Sequence, residues 1–102
     1  MTEETKQKIQ KIADAYGLRP QLRQCIEECS ELIKALCKWD REWGDSLLSD
    51  SHECKERDDV ITEIADCKIM LEQIEYLMSA EYDVMMEVDR KIDRQMERIE
   101  TE

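Results

Sequence analysis

A chain of 102 residues with a net charge of −11 leaves room for one domain, residues 1–102. It excludes nucleic-acid binding through the general surface, because a phosphate backbone would be repelled. Charged residues make up 40% against 41% hydrophobic, with two glycines, one proline and no phenylalanine, a composition that suits long amphipathic helices and argues against a sheet.

Residues 3 to 16 read as a first helix, with Ile9, Ile12, Ala13 and Tyr16 on its apolar side. Gly17 follows as a C′ residue, where a left-handed conformation ends a helix cheaply. Pro20 fits the first turn of a second helix predicted over about 20 to 41, since its missing N–H costs nothing there. On that helix Leu22, Cys25, Ile26, Cys29, Leu32, Ile33 and Leu36 share one broad face at about 100° per residue. Glu28 falls at the edge of the face, with Glu31 beside it one turn later. Two partly dehydrated carboxylates repel, and a divalent cation is the simplest compensation. Trp39 and Trp43 follow, four apart, and packing outweighs base stacking as their role.

Gly44 opens a polar connection, G-D-S-L-L-S-D-S-H-E, that lets a third helix return antiparallel. Asp50 and Glu53 have a capping-box-like spacing, so the third helix is expected to begin near Ser51, or several residues later, and to reach about Ser79. Val60, Ile64, Cys67, Leu71, Ile74 and Met78 make its apolar stripe. Glu63 projects within that arc and Asp66 sits on its border, three residues on and therefore one turn away on the same side. Antiparallel packing would converge Glu28, Glu31, Glu63 and Asp66 on one point.

Near Ser79 a short kinked link is predicted, with Ser79 and Asp83 both acceptable N-caps. A fourth helix then runs over about 82 to 100, with Met85, Val88, Ile92, Met96 and Ile99 apolar and Lys91, Arg94 and Arg98 along one border. The expected fold is all-α, four antiparallel helices in a bundle. A chain this short buries a limited core alone, so completion by oligomerisation, as a dimer or tetramer, is expected.

No run approaches the ~18 apolar residues of a membrane span, and M-T-E-E-T-K-Q-K lacks the apolar core of a secretory signal. Five cysteines are an odd number, and Cys25, Cys29 and Cys67 fall on apolar stripes. Free thiols in a reducing compartment explain them better than disulfides, so the cytoplasm is expected. A zinc site from Cys25, Cys29, His52 and Cys54 is outweighed by packing for the same reason.

The blocks E-E-C-S-E at Glu27–Glu31 and E-I-A-D at Glu63–Asp66 resemble the EExxE and ExxD signature of the MazG-like, all-α nucleoside triphosphate pyrophosphohydrolases. All five acidic positions match, with Q-L-R-Q before the first block and L-I-K after it. The resemblance runs from Tyr16 to about Ile99, and the 31-residue gap between Glu31 and Glu63 is longer than usual in that family. V-D-R-K-I-D-R offers Lys91 and Arg94 at the places of the family's basic NxKFxxR element. The resemblance implies a MazG-like bundle and Mg²⁺-dependent cleavage, with Mn²⁺ as a possible substitute, between the α and β phosphates of a nucleoside triphosphate. The products would be a nucleoside monophosphate and pyrophosphate.

The residue chemistry agrees. Mg²⁺ takes hard oxygen ligands at about 2.1 Å, which Glu28, Glu31, Glu63 and Asp66 would supply. Glu27, a turn before Glu31, is placed to orient a water. Lys91 and Arg94 would offset charge on the leaving pyrophosphate, joined by Lys38 two turns beyond Glu31. Two rival readings are a non-catalytic oligomeric helical adaptor and a nucleotide-binding sensor without turnover. An adaptor would keep its carboxylates on the outer face, whereas a metal enzyme needs them inside.

Overall fold

The computed structural model describes residues 1–42 and 55–101, and the regular elements among them are four α-helices with no strand. Trp43, Gly44 and the polar connection, with the predicted helix start near Ser51 and the His52 and Cys54 of the zinc alternative, lie outside the described residues.

Helix α1 spans Glu3–Tyr16. The Thr2 hydroxyl accepts from the Thr5 N–H at 3.1 Å, satisfying a donor that the first turn leaves over. Gly17, at φ 84°, closes the other end with its N–H on the Ala13 carbonyl at 2.8 Å. Helix α2 follows at once as Leu18–Glu42, with Pro20 in its first turn. Helix α3 spans Lys55–Leu77, and α4 spans Glu81–Thr101.

The link between α3 and α4 is a Schellman turn. The Ser79 N–H bonds the Tyr76 carbonyl at 3.0 Å, and the Ala80 N–H bonds that of Glu75 at 2.9 Å. Ser79 takes the left-handed position, φ 54°, where glycine is commoner. Neither Ser79 nor Asp83 therefore caps α4; Ala80 precedes its first residue.

Helices α2 and α3 run antiparallel, as their paired residues show. Gln21 bonds Gln73, the Cys67 thiol donates to the Glu28 carbonyl at 3.3 Å, and Lys38 shares a concavity with Asp59. Numbers rise along one helix as they fall along the other. Helix α1 lies across α3, where the Tyr76 hydroxyl sits 2.9 and 2.8 Å from the two oxygens of Asp14. The buried core is small: Ile9 and Ala13 from α1, and Val60, Cys67 and Met70 from α3. The amides of Gln21 and Gln73 are buried with it and hydrogen-bond each other.

The inner face of α2 is turned roughly a quarter turn from the stripe read off the sequence. Gln21, Cys25, Glu28, Leu32, Ala35 and Trp39, at alternating four- and three-residue steps, are buried or half-buried, with Cys29 and Lys38 half-buried on either flank. Leu22, Ile26, Ile33 and Leu36 are exposed instead. On α3, Met70 and Gln73 are buried while Ile64 and Leu71 are exposed, as is Met78 just past its end. Ile12 and Tyr16 of α1 are exposed as well. Every residue of α4 is exposed, including Met85, Val88, Ile92, Met96 and Ile99, and among the described residues its backbone approaches only that of α3. The all-α helical class stands, and among the described residues α4 packs against α3 alone.

Candidate metal centre

The rotated seam carries Glu28 inward, into the middle of the inner positions of α2. Antiparallel pairing sets it across from Glu63 and Asp66, which occupy successive turns of α3. One carboxylate oxygen from each of Glu28, Glu63 and Asp66 lies within 4.8 Å of the other two, and all three residues are half-buried. Gln24, one turn before Glu28, donates its side-chain N–H to Glu28 Oε1 at 2.8 Å and orients that carboxylate. The backbone beside it is tied to α3 by the Cys67 thiol.

Glu63 is the anomalous member. Its Oε2 is shut off from solvent and has no hydrogen-bond donor. A buried acceptor without a partner costs free energy, and a carboxylate costs more. Burial pushes the Glu63 carboxyl above the ordinary carboxylate range, and the charges of Asp66, Glu28, Glu31 and Asp59 push it further. Among the described residues no donor reaches that oxygen, and the charges nearest to it in effect are other carboxylates.

The donor set fits a hard divalent cation. All three groups offer oxygen, and two oxygens on one ion at about 2.1 Å lie at most about 4.2 Å apart, so small side-chain rotations close the trio. The orphaned Glu63 oxygen is the atom such an ion would satisfy.

Glu31 is exposed and stands outside the trio, but it lines an adjoining concavity of about 180 Å³ with Lys34, Ala35, Lys38, Asp59 and Glu63. Lys38 is half-buried in that concavity. Glu27 is exposed, and its carbonyl accepts the Ser30 hydroxyl at 2.7 Å. Lys91 and Arg94 line a separate hollow on α4 with Gln95 and Arg98, all four from the same helix. Arg90, their neighbour, is engaged by the Glu87 carboxylate one turn back. The structure thus brings Glu28, Glu63 and Asp66 together, sets Glu31 and Lys38 beside them, leaves Glu27 exposed next to Glu28, and holds Lys91 and Arg94 in a hollow on α4.

Three neighbours were given no site role by the sequence, although Gln24 and Lys34 lie in the flanks of its first acidic block. Asp59 precedes Glu63 by one turn, Lys34 follows Glu31 by one, and Gln24 precedes Glu28 by one. The i, i+3 and i, i+4 spacings around the acidic blocks were the available signal.

No family model, no curated protein and no solved structure matches this chain. Its functional reading therefore stands on the chemistry of its residues.

Proposed function

We propose that this chain is a Mg²⁺-dependent nucleoside triphosphate pyrophosphohydrolase of the MazG-like kind, in which Glu28, Glu63 and Asp66 hold the metal and Glu31 completes the set. The observation that carries this reading is the solvent-excluded, unpartnered Oε2 of Glu63, on a carboxylate that lies close to those of Glu28 and Asp66. A structural adaptor has no use for an orphaned acid inside its packing.

When bound, the cation supplies charge neutralisation and Lewis-acid polarisation of phosphate oxygens. The chain's own residues do the rest. Lys34 and Lys38 flank Glu31 and Glu63 in the concavity and bind the phosphate chain that carboxylates alone would repel. Glu27 orients the attacking water. The new bond joins the water oxygen to the attacked phosphorus, the α–β bridging bond breaks, and pyrophosphate leaves with the nucleoside monophosphate.

Lys91 and Arg94 stabilise the leaving group from a second copy of the chain. The exposed apolar stripe of α4 and the exposed face of α2 support a homo-oligomer that brings the basic hollow of one copy to the acids of another. The expected location is the cytoplasm, where nucleotides and Mg²⁺ are available.

The test is a panel of ribo- and deoxyribonucleoside triphosphates with Mg²⁺ or Mn²⁺, assayed for both pyrophosphate and orthophosphate. At least one substrate should yield pyrophosphate and a monophosphate in equal amounts. Orthophosphate as the sole primary product, or no turnover of any member, would remove the reading.

A further inference from the structure

The outer face of α2 carries an apolar stripe that nothing in the chain covers. Leu22, Ile26, Ile33 and Leu36 stand exposed there, along two open grooves of about 520 and 430 Å³ that share Leu22 and Ile26. The second groove also takes in Cys25, Cys29 and Ser30. On α4, Met85, Val88, Ile92, Met96 and Ile99 form a second exposed stripe. The two stripes repeat alike. Leu22, Cys29 and Leu36 recur every seven residues on α2, as Met85, Ile92 and Ile99 do on α4. Either stripe can therefore seat on the other, in either direction.

Charge selects the direction. At about 100° per residue, one flank of the α2 stripe carries Arg19 and Arg23 beside the grooves, and the other carries Glu28 and Glu31. On α4 the corresponding flanks carry Asp89, Asp93 and Glu100 on one side, and Lys91, Arg94 and Arg98 on the other. Two parallel helices bring opposite flanks together, which would set Arg19 and Arg23 against Lys91, Arg94 and Arg98. Reversing one helix joins corresponding flanks instead. Arginines then meet acids on one side of the seam, and acids meet cations on the other. Lys38 and Glu87 are exceptions on their flanks, and the reversed arrangement brings them within about one turn of each other.

An antiparallel α4 cannot come from the same chain. The bond between Gln21 and Gln73 sets the end of α3 beside the start of α2. Only Met78, Ser79 and Ala80 separate α3 from α4, a link that spans at most about 14 Å. The start of an antiparallel α4 would lie near Asp40, about 33 Å along α2 from Leu18. The occupant must be another copy.

We propose that α4 of a second copy lies antiparallel along the exposed face of α2, and reciprocally, with Ile92 level with Cys29. In this register Ile99 lies level with Leu22 and Met85 with Leu36. Lys91 comes level with Ser30 and Arg94 with Glu27, on the side of the stripe that holds Glu28 and Glu31. The interface deepens the proposed function and rests on it only for the role of those two cations.

The experiment uses native thiols at the two ends of the face, half-buried Cys25 and exposed Cys37. Ile99→Cys and Met85→Cys are each made in a Cys54→Ser background, oxidised without denaturant, and their disulfides mapped by peptide mass. Both positions are exposed on α4, and circular dichroism confirms that helical content is kept. Ile99→Cys should link to Cys25 of another copy and Met85→Cys to Cys37 of another copy, each as a covalent dimer lost on reduction. The exchanged pattern, Met85→Cys with Cys25 and Ile99→Cys with Cys37, overturns the proposal. So does a link between the introduced cysteines of two copies, which would set α4 against α4, and so does the absence of any covalent dimer. Turnover plays no part in this readout. The expected links without nucleotide hydrolysis would keep the interface and remove the catalytic reading, and hydrolysis without the links would do the reverse.

Discussion

Glu63 concentrates the chemistry of the seam in one side chain. Burial and four neighbouring carboxylates hold its carboxyl above the ordinary range, so the folded state keeps a proton that the unfolded chain has already released. Stability contributed by Glu63 is therefore greatest below the ordinary carboxylate value and falls as pH rises through the raised one. In EDTA the wild-type melting temperature should decline across that window. Glu63→Gln should flatten the decline and melt higher above it, because the amide keeps the shape and removes one repelling charge. It should also lose most of the Mg²⁺-induced stabilisation, which arises from binding to the folded state alone. Turnover should fall by ~10²-fold or more, the scale of losing one preorganised electrostatic contact. The exposed Asp40, changed to Asn, should do none of these things. A Glu63→Gln variant clearly less stable than wild type in EDTA would show that the carboxylate is satisfied, contrary to this reading of the site.

The α2–α3 pair shows how a polar contact sets the register of such a seam. Gln21 and Gln73 are buried and bonded to each other across the two helices, in positions where an apolar stripe would place leucine. Changing Gln73 alone to Leu strands the Gln21 amide and should cost about 1–3 kcal/mol in chemical denaturation. Changing both to Leu should recover most of that loss, since paired apolar groups leave nothing unsatisfied. If the double variant is as unstable as the single one, the amides act through something other than each other. The same pair explains what could and could not be read beforehand. The bounds of α1, the glycine that ends it and the break near Ser79 were legible, because they depend on local backbone chemistry. The inward position of Glu63 was legible from its apolar neighbours. The rotation of α2 was not, because two faces of that helix are apolar and only the facing helix selects between them. Leu22, Ile26 and Ile33 satisfied the period as well as Leu32 and Ala35 did. Glutamine at 21 and 73 gave no sign of burial without its partner in view.

At the scale of the whole molecule the chain is too open for its length. Its radius of gyration is 16.7 Å, whereas a compact domain of this size has about 13 Å. The excess comes with a fourth helix exposed at every residue and with large aliphatic side chains left in water: Ile26 is 71% exposed, Ile33 62% and Ile99 65%. Apolar stripes on both α2 and α4 are what a second copy would cover. Light scattering at tens of micromolar should therefore give a dimer or tetramer, and a monomer would contradict the assembly. The positions of the charges sharpen the expectation. Lys91 lies about 15 Å along α4 from its start, and Glu63 about 21 Å back along α3 from its end, at 1.5 Å per residue. The basic hollow holds residues of α4 alone, and in the proposed assembly its cations would serve the acid trio of another chain. Glu63→Gln and Arg94→Ala should each be nearly inactive when pure. Co-expressed, they assemble mixed oligomers in which an intact acid set from one copy meets an intact Arg94 from the other. For random pairing of dimers about a quarter of the sites are restored, and activity should return to roughly that fraction of wild type. If mixed assemblies are verified by mass and stay inactive, Arg94 serves its own chain or has no part in turnover. Recovered activity requires that it act across the interface.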